Sequence, residues 1–141
     1  MPGRDSYTSD EVESCRDAAD GLLAAWQANE VEDETLENLV FTQAVVALDA
    51  WFAHRSVEME GDDGNVMNEV RVLADSVVGN GGALRVRGPI RWVPERTVLR
   101  LAPGDEVVVT ANTYERLASA YLDAVSDTFV TGRRRTSPPW V

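Results

Sequence analysis

The chain contains no lysine. All 13 of its basic residues are arginine, set against 24 acids, for a formal charge of -11 and a pI near 4.4. That balance argues against unspecific DNA binding, which needs a basic surface able to release counterions. There is one cysteine and one histidine. Cys15 alone cannot close an intramolecular disulfide, and Cys15 with His54 cannot build a Cys/His zinc site. No G-x-S-x-G nucleophile elbow occurs. No apolar run approaches the roughly 20 residues that span a bilayer. No basic stretch followed by an apolar one opens the sequence, so no signal peptide is expected and the cytoplasm is the expected location.

What is present is an ordinary globular composition over 141 residues, 44% hydrophobic and 26% charged. That is one domain's worth of chain, long enough to bury a core without metal or disulfide staples. Charge is unevenly spread. Residues 1–70 carry 17 acids and 3 arginines, whereas residues 71–141 carry 7 acids and 10 arginines. Arg85, Arg87, Arg91, Arg96 and Arg100 oppose only Glu95, and Arg133, Arg134 and Arg135 close the sequence. Solvated faces that partly pair with each other explain such a pattern. So does a docking face for an acidic partner, a phosphate or a second copy's acidic half.

Residues 1–8 are polar and are expected to be flexible. A capping box at Thr8 and Glu11 starts a first helix over 9–29, with Val12, Cys15, Ala19, Leu22, Leu23 and Trp26 on one face. A second helix over 33–56 is apolar nearly all round, which predicts a place in the middle of a bundle. Residues 57–64 read as a loop, and a third helix over 65–79 is stopped by Gly79-Asn80-Gly81-Gly82. The period then changes to 2. Leu84 and Val86 alternate with Arg85 and Arg87, and 97–101 and 106–109 flank a turn at 102–105. These features predict a small antiparallel β element. A last helix opens at Thr110 or Asn112 and runs to about 130, and 131–141 reads as a disordered basic tail. The expected fold is mainly α, in the order α-α-α-β-β-α. It is a single helical-bundle domain over 9–130 with a β insertion at about 84–109; the alternative is α+β.

Little in the chain invites catalysis. Cys15 lies on an apolar helix face, where it reads as a small hydrophobe, and His54 reads as a helix-end side chain. Glu60, Asp62, Asp63, Asn65 and Glu69 are dense, but EF-hand spacing fails at Gly64 and Val66. No metal and no cofactor are expected. The glycines at 79–82 follow a helix and lack the Lys-Ser/Thr of a P-loop, so they read as a helix stop. Trp26, Trp51, Phe52 and Tyr121 read as core aromatics in preference to a ligand pocket.

The segment 68–82, with the apolar pair Val77-Val78 and the Asn80-Gly81-Gly82 end, resembles the active-site helix of HEPN domains. These are helical bundles of prokaryotic defence and toxin–antitoxin systems. The looser pattern resemblance spans about 33–130, including Gly104–Thr110 leading into a helix with Tyr114, Leu117 and Tyr121. Members that cleave RNA carry an arginine, then four to six intervening residues, then a histidine. Ala74 and Gly79 occupy those two positions here, and only the polar position at Asp75 is kept. His54 offers no second register, because Ala47, Leu48 and Asp49 precede it. The resemblance therefore implies the fold without the RNA cleavage, which needs a cation and an imidazole at the phosphate. It also implies a homodimer paired through the faces bearing that helix. The segments around 63–71 and 98–106 are in addition similar to uncharacterised bacterial proteins.

The expected function is that of a non-catalytic interaction protein, an accessory in defence or toxin–antitoxin biology. It is expected to form a homodimer, to have a protein partner and to have no membrane association. The alternative is a phosphate-ligand or RNA-binding protein using an arginine-rich β face. The candidate binding residues are Arg71, Asp75, Arg85, Arg87, Arg91 and Trp92, with Arg71 and Asp75 expected as an i,i+4 ion pair.

Overall fold

A computed structural model describes residues 3–130. The expected tail at 131–141 lies outside them. Among the described residues the chain forms α1 (Ser9–Ala28), α2 (Glu34–Trp51), the single turn α3 (Val57–Glu60), α4 (Val66–Gly79), a 3-10 turn (Pro94–Arg96) and α5 (Ala111–Phe129). No helix among them is long and apolar enough to cross a membrane.

The helix starts follow side-chain chemistry. Thr8 and Glu11 form a reciprocal capping box on α1, and Asp33 accepts from the Leu36 amide at the head of α2. Asn65 Oδ1 accepts from the amides of Met67 and Asn68, and Thr110 caps α5. Each supplies an acceptor to an amide that has no partner inside its own helix. α5 packs on α1, α4 and α2, and α2 also packs on α4. One core joins all four long helices through Cys15, Phe41, Leu48, Leu73, Leu117, Tyr121 and their neighbours.

Three expectations are corrected. First, the antiparallel β element at 84–109 is absent from the described residues, and so is the larger sheet of the α+β alternative. The segment runs as irregular chain with a single isolated bridge, Ala83 to Glu106. The reason is where its amides go. Val98 and Leu99 donate to the Glu69 carboxylate, Arg85 donates to Ser76 Oγ, and Val109 donates to Thr42 Oγ1. Side chains of α2 and α4 satisfy donors that a neighbouring strand would otherwise take. The alternation of period 2 records one side lying on the bundle: Leu84, Val107 and Val109 are buried while Arg87, Glu106 and Val108 are exposed.

Second, the helix expected over 33–56 ends at Trp51, and the loop expected over 57–64 contains α3. Extended backbone at Arg4 causes this break. The Arg4 amide donates to the His54 carbonyl, and the Ser56 amide donates to the Arg4 carbonyl, so these groups are lost to helix. Within residues 3–8, Arg4 bridges Arg55 while residues 3–6 and 8 stay exposed. Tyr7 is buried, edge-on to Phe52 and Phe129.

Third, α2 is not surrounded. It buries Phe41, Ala44, Val45 and Leu48, yet Leu36, Leu39 and Trp51 are 40%, 61% and 46% exposed. Trp51, expected in the core, stands outside it.

Candidate interaction surface

The solvent face of α2 follows from its spacing. Leu36, Leu39, Gln43, Ala47 and Ala50 recur at intervals of three and four, which places them along one side of a helix. All five are exposed. The face carries no charge of its own, and two of the α2 carboxylates make contacts elsewhere. Glu37 Oε2 accepts from the Ala111 amide at the start of α5, and Asp49 Oδ1 lies 2.9 Å from Arg55 Nη1. The result is an uncharged stripe running along the helix, with Gln43 as its one polar side chain.

A depression flanks each end of this stripe. Near the C-terminal end, residues 3–5, 53–59 and Arg71 line a volume of about 1220 Å³. Near the N-terminal end, Trp26, Val31, Glu32, Asp33, Glu34 and Glu37 border one of about 500 Å³. The first is lined by Arg4, Arg55, Arg71, Asp5 and Glu58, and its arginines are already paired, Arg4 with Glu11 and Arg55 and Arg71 with Glu60. The second is bordered by carboxylates with no basic side chain among its lining residues.

Under the first depression lies a buried polar network that the sequence did not reveal. The Arg55 side chain is completely buried. Its Nε donates to Glu60 Oε1, and its Nη1 and Nη2 donate to the carbonyls of Phe52 and Met67. The guanidinium also sits 5.4 Å above the Tyr121 ring. The nearby Asp49 oxygen is at ion-pair distance but off the N–H axis, and it has no hydrogen bond. Glu60 receives Asn68 Nδ2 at 2.6 Å and Arg71 Nη2 at 2.7 Å. Burial pushes the Glu60 carboxyl up. The Arg71 hydrogen bonds and the charges of Arg55 and Arg71 outweigh that push and leave it below the ordinary carboxylate range. Glu69 goes the other way. Burial raises it, and the amides of Leu99 and Val98 with the charge of Arg116 only partly compensate. The Cys15 thiol is pushed up to about 12 by burial, so it is no nucleophile at neutral pH.

The six residues singled out from the sequence separate into groups. Arg71 bonds Glu60 across 11 residues of chain, and the expected Arg71–Asp75 pair does not form. Asp75 instead faces Arg87 at 3.6 Å and Arg85 at 4.0 Å. Those three side chains are each two-fifths or more exposed, so the pairs add little stability. Arg91 lies in another place, its amide on the Asp62 carbonyl. Gly64, at φ +88, makes that approach, because a Cβ there would strike the Arg91 carbonyl. Trp92 is half-buried and donates Nε1–H to the Leu101 carbonyl at 2.9 Å. The structure thus brings Asp75, Arg85 and Arg87 together and leaves Arg71, Arg91 and Trp92 outside that group.

The pair of positions that matters for the HEPN resemblance diverges as well. Ala74 is 5% exposed and faces the core, whereas Gly79 is exposed at the end of α4. An arginine at 74 would have to displace core side chains. His54 is exposed at the rim of the first depression, away from that helix end in sequence. Among the described residues no cluster of His, Cys, Asp and Glu is arranged to hold a metal.

No family model, curated protein or solved structure matches this chain.

Proposed function

We propose that this chain is a non-catalytic interaction protein of the cytoplasm that works as a homodimer held through the solvent face of α2. One observation carries the reading. A helix four to five turns long presents an uncharged row of Leu36, Leu39, Ala47 and Ala50 to water, bordered by Trp51. Contiguous apolar surface of this kind marks an association site. A second copy is the occupant argued for, because the row suits itself: it has no charge to repel its own image, and its small residues permit close approach. The HEPN resemblance supports pairing and a role as a defence or toxin–antitoxin accessory. It points to the face of α4, however, and that helix has Met67, Asn68, Glu69, Val70, Val72, Leu73, Ala74 and Ser76 buried. α4 exposes Val78 at its end, whereas the longer exposed apolar row is on α2. A phosphate- or RNA-binding role for the arginine segment has less support, since Asp75 already faces Arg85 and Arg87, and the Trp92 N–H is committed.

Light scattering on a gel-filtration column tests the reading. The parent protein should run at twice its chain mass. Leu39→Glu should run as a monomer with unchanged helical circular dichroism, because Leu39 is 61% exposed and its loss removes no core contact. A parent that stays monomeric at high concentration, or a Leu39→Glu variant that remains a dimer, overturns it.

A further inference from the structure

We propose that the depression near the C-terminal end of α2 is the docking site of the chain's own segment 133–141. Its three arginines meet Asp5 and Glu58, and its Trp140 covers Val57 and Met59. This goes beyond the α2 pairing above and does not depend on it.

The charge left over in the depression decides the sign of its occupant. Arg4 is matched by Glu11, and Arg55 and Arg71 share Glu60, with Asp49 also at ion-pair distance from Arg55. Asp5 and Glu58 line the same depression, are exposed, and have no ion pair among the described residues. Once the internal pairs are counted the depression is acidic, and a basic segment complements it. It is also apolar in part. Val57 is 67% and Met59 40% exposed, and Ala53 joins them in the lining. An occupant that carries both arginines and an aromatic ring answers both features. Residues 133–141 read Arg-Arg-Arg-Thr-Ser-Pro-Pro-Trp-Val, and no acid follows Asp127.

The end of α5 delivers this segment to the place. The Phe129 carbonyl accepts from the Tyr7 amide at 2.9 Å, and the Tyr7 ring packs edge-on against Phe129. The Arg4 guanidinium, part of the depression's lining, lies 4.0 Å above that same Tyr7 ring. Only the Tyr7 ring stands between Phe129 and a residue of the depression. Beyond Val130, three residues span at most about 10 Å to Arg133 and ten span at most about 33 Å to Trp140, so both can reach it. A tether this short holds its end at a local concentration in the millimolar range, and contacts too weak to capture a free peptide suffice. A covered tryptophan buries about 150–250 Å². A volume of about 1220 Å³ has room for it beside Pro138 and Pro139, whose fixed φ leaves little backbone freedom to lose on docking.

Disulfide closure in the full-length chain carrying Ala53→Cys and Val141→Cys reads this contact. Ala53 is exposed in the lining, and Cys15 is buried and stays silent, as each single addition will show. Mild oxidation should close a loop within one chain, seen as a monomeric product whose gel mobility reverts on reduction. A tethered segment also closes by chance collision, so the rates decide. Arg133→Glu, Arg134→Glu and Arg135→Glu together should slow closure about three- to tenfold at low salt, the size of two exposed charge contacts. Adding Asp5→Arg and Glu58→Arg to those three should restore the rate. Trp140→Ala should slow closure by a similar factor, and without the added cysteines it should speed peroxide oxidation of Met59, followed by peptide mass spectrometry. Equal closure rates in all these chains mean collision only and overturn the proposal. A disulfide-linked dimer as the main product seats the segment on another copy and overturns docking within one chain. Oxidation of Met59 that ignores Trp140→Ala removes Trp140 from the depression and overturns the proposal as stated.

Discussion

Glu60→Ala is the sharpest test of what holds this bundle together. The carboxylate links α3, where it sits, to Asn68 and Arg71 on α4 and to Arg55 after α2. Arg71 is partly exposed and can turn its guanidinium to water when Glu60 goes. Arg55 cannot, because its side chain is fully enclosed. It would keep two carbonyls and the off-axis Asp49 oxygen. Removing one partner of a buried ion pair costs about 3–5 kcal/mol. With Asp49 still near, the lower end applies, about 3 kcal/mol, or a fall of roughly 10 °C in Tm for a domain of this size. That is a large part of a typical folding stability of about 5–15 kcal/mol. Urea unfolding followed by circular dichroism measures it. Removing the charge on both sides, Arg55→Met with Glu60→Leu, should recover only part of the loss, because the Phe52 and Met67 carbonyls and the Asp49 carboxylate then lose the guanidinium. A Glu60→Ala protein within about 1 kcal/mol of the parent refutes the assignment of Arg55 as a desolvated charge that depends on Glu60.

Three further outcomes are expected. The depressed Glu60 carboxyl contributes stability that is complete above its unfolded pKa and is lost as pH falls through the lower folded value; Glu60→Gln should therefore flatten the loss of stability in acid below about pH 4.5, as read by thermal melts from pH 6 to pH 3. Glu69→Ala should leave the Val98 and Leu99 amides unpaired, cost about 2–4 kcal/mol and speed their hydrogen exchange, while the amide of Arg85, held by Ser76 Oγ, stays protected. Gly64→Ala should destabilise by about 2 kcal/mol or more, through its left-handed backbone and the Cβ collision with the Arg91 carbonyl, measurable by the same urea titration.

Much of the helical framework was legible as a line of residues. The Thr8–Glu11 box and the stop at Asn80–Gly82 are local devices that act where their chemistry says, and of the two candidate starts Thr110 is the one that caps α5. The buried stripe of α5, with Tyr114, Leu117, Tyr121 and Val125, follows from 3.6-residue periodicity. The interaction surface was half legible. That α2 is apolar nearly all round shows in its residues, but a second apolar face reads the same whether its own chain or another molecule covers it.

Composition and periodicity determined that this is a helical protein with one acidic half, one thiol without a partner thiol, and a single imidazole. Those properties reside in single residues and their near neighbours. Tertiary structure alone decided that 84–109 pairs with the side chains of Glu69, Ser76 and Thr42 in place of another strand, that Arg71 answers to Glu60 and not Asp75, and that α2 lies at the edge of the bundle. Each depends on contacts between segments distant in sequence, and a period of two or of 3.6 records which side of a segment is covered without recording what covers it.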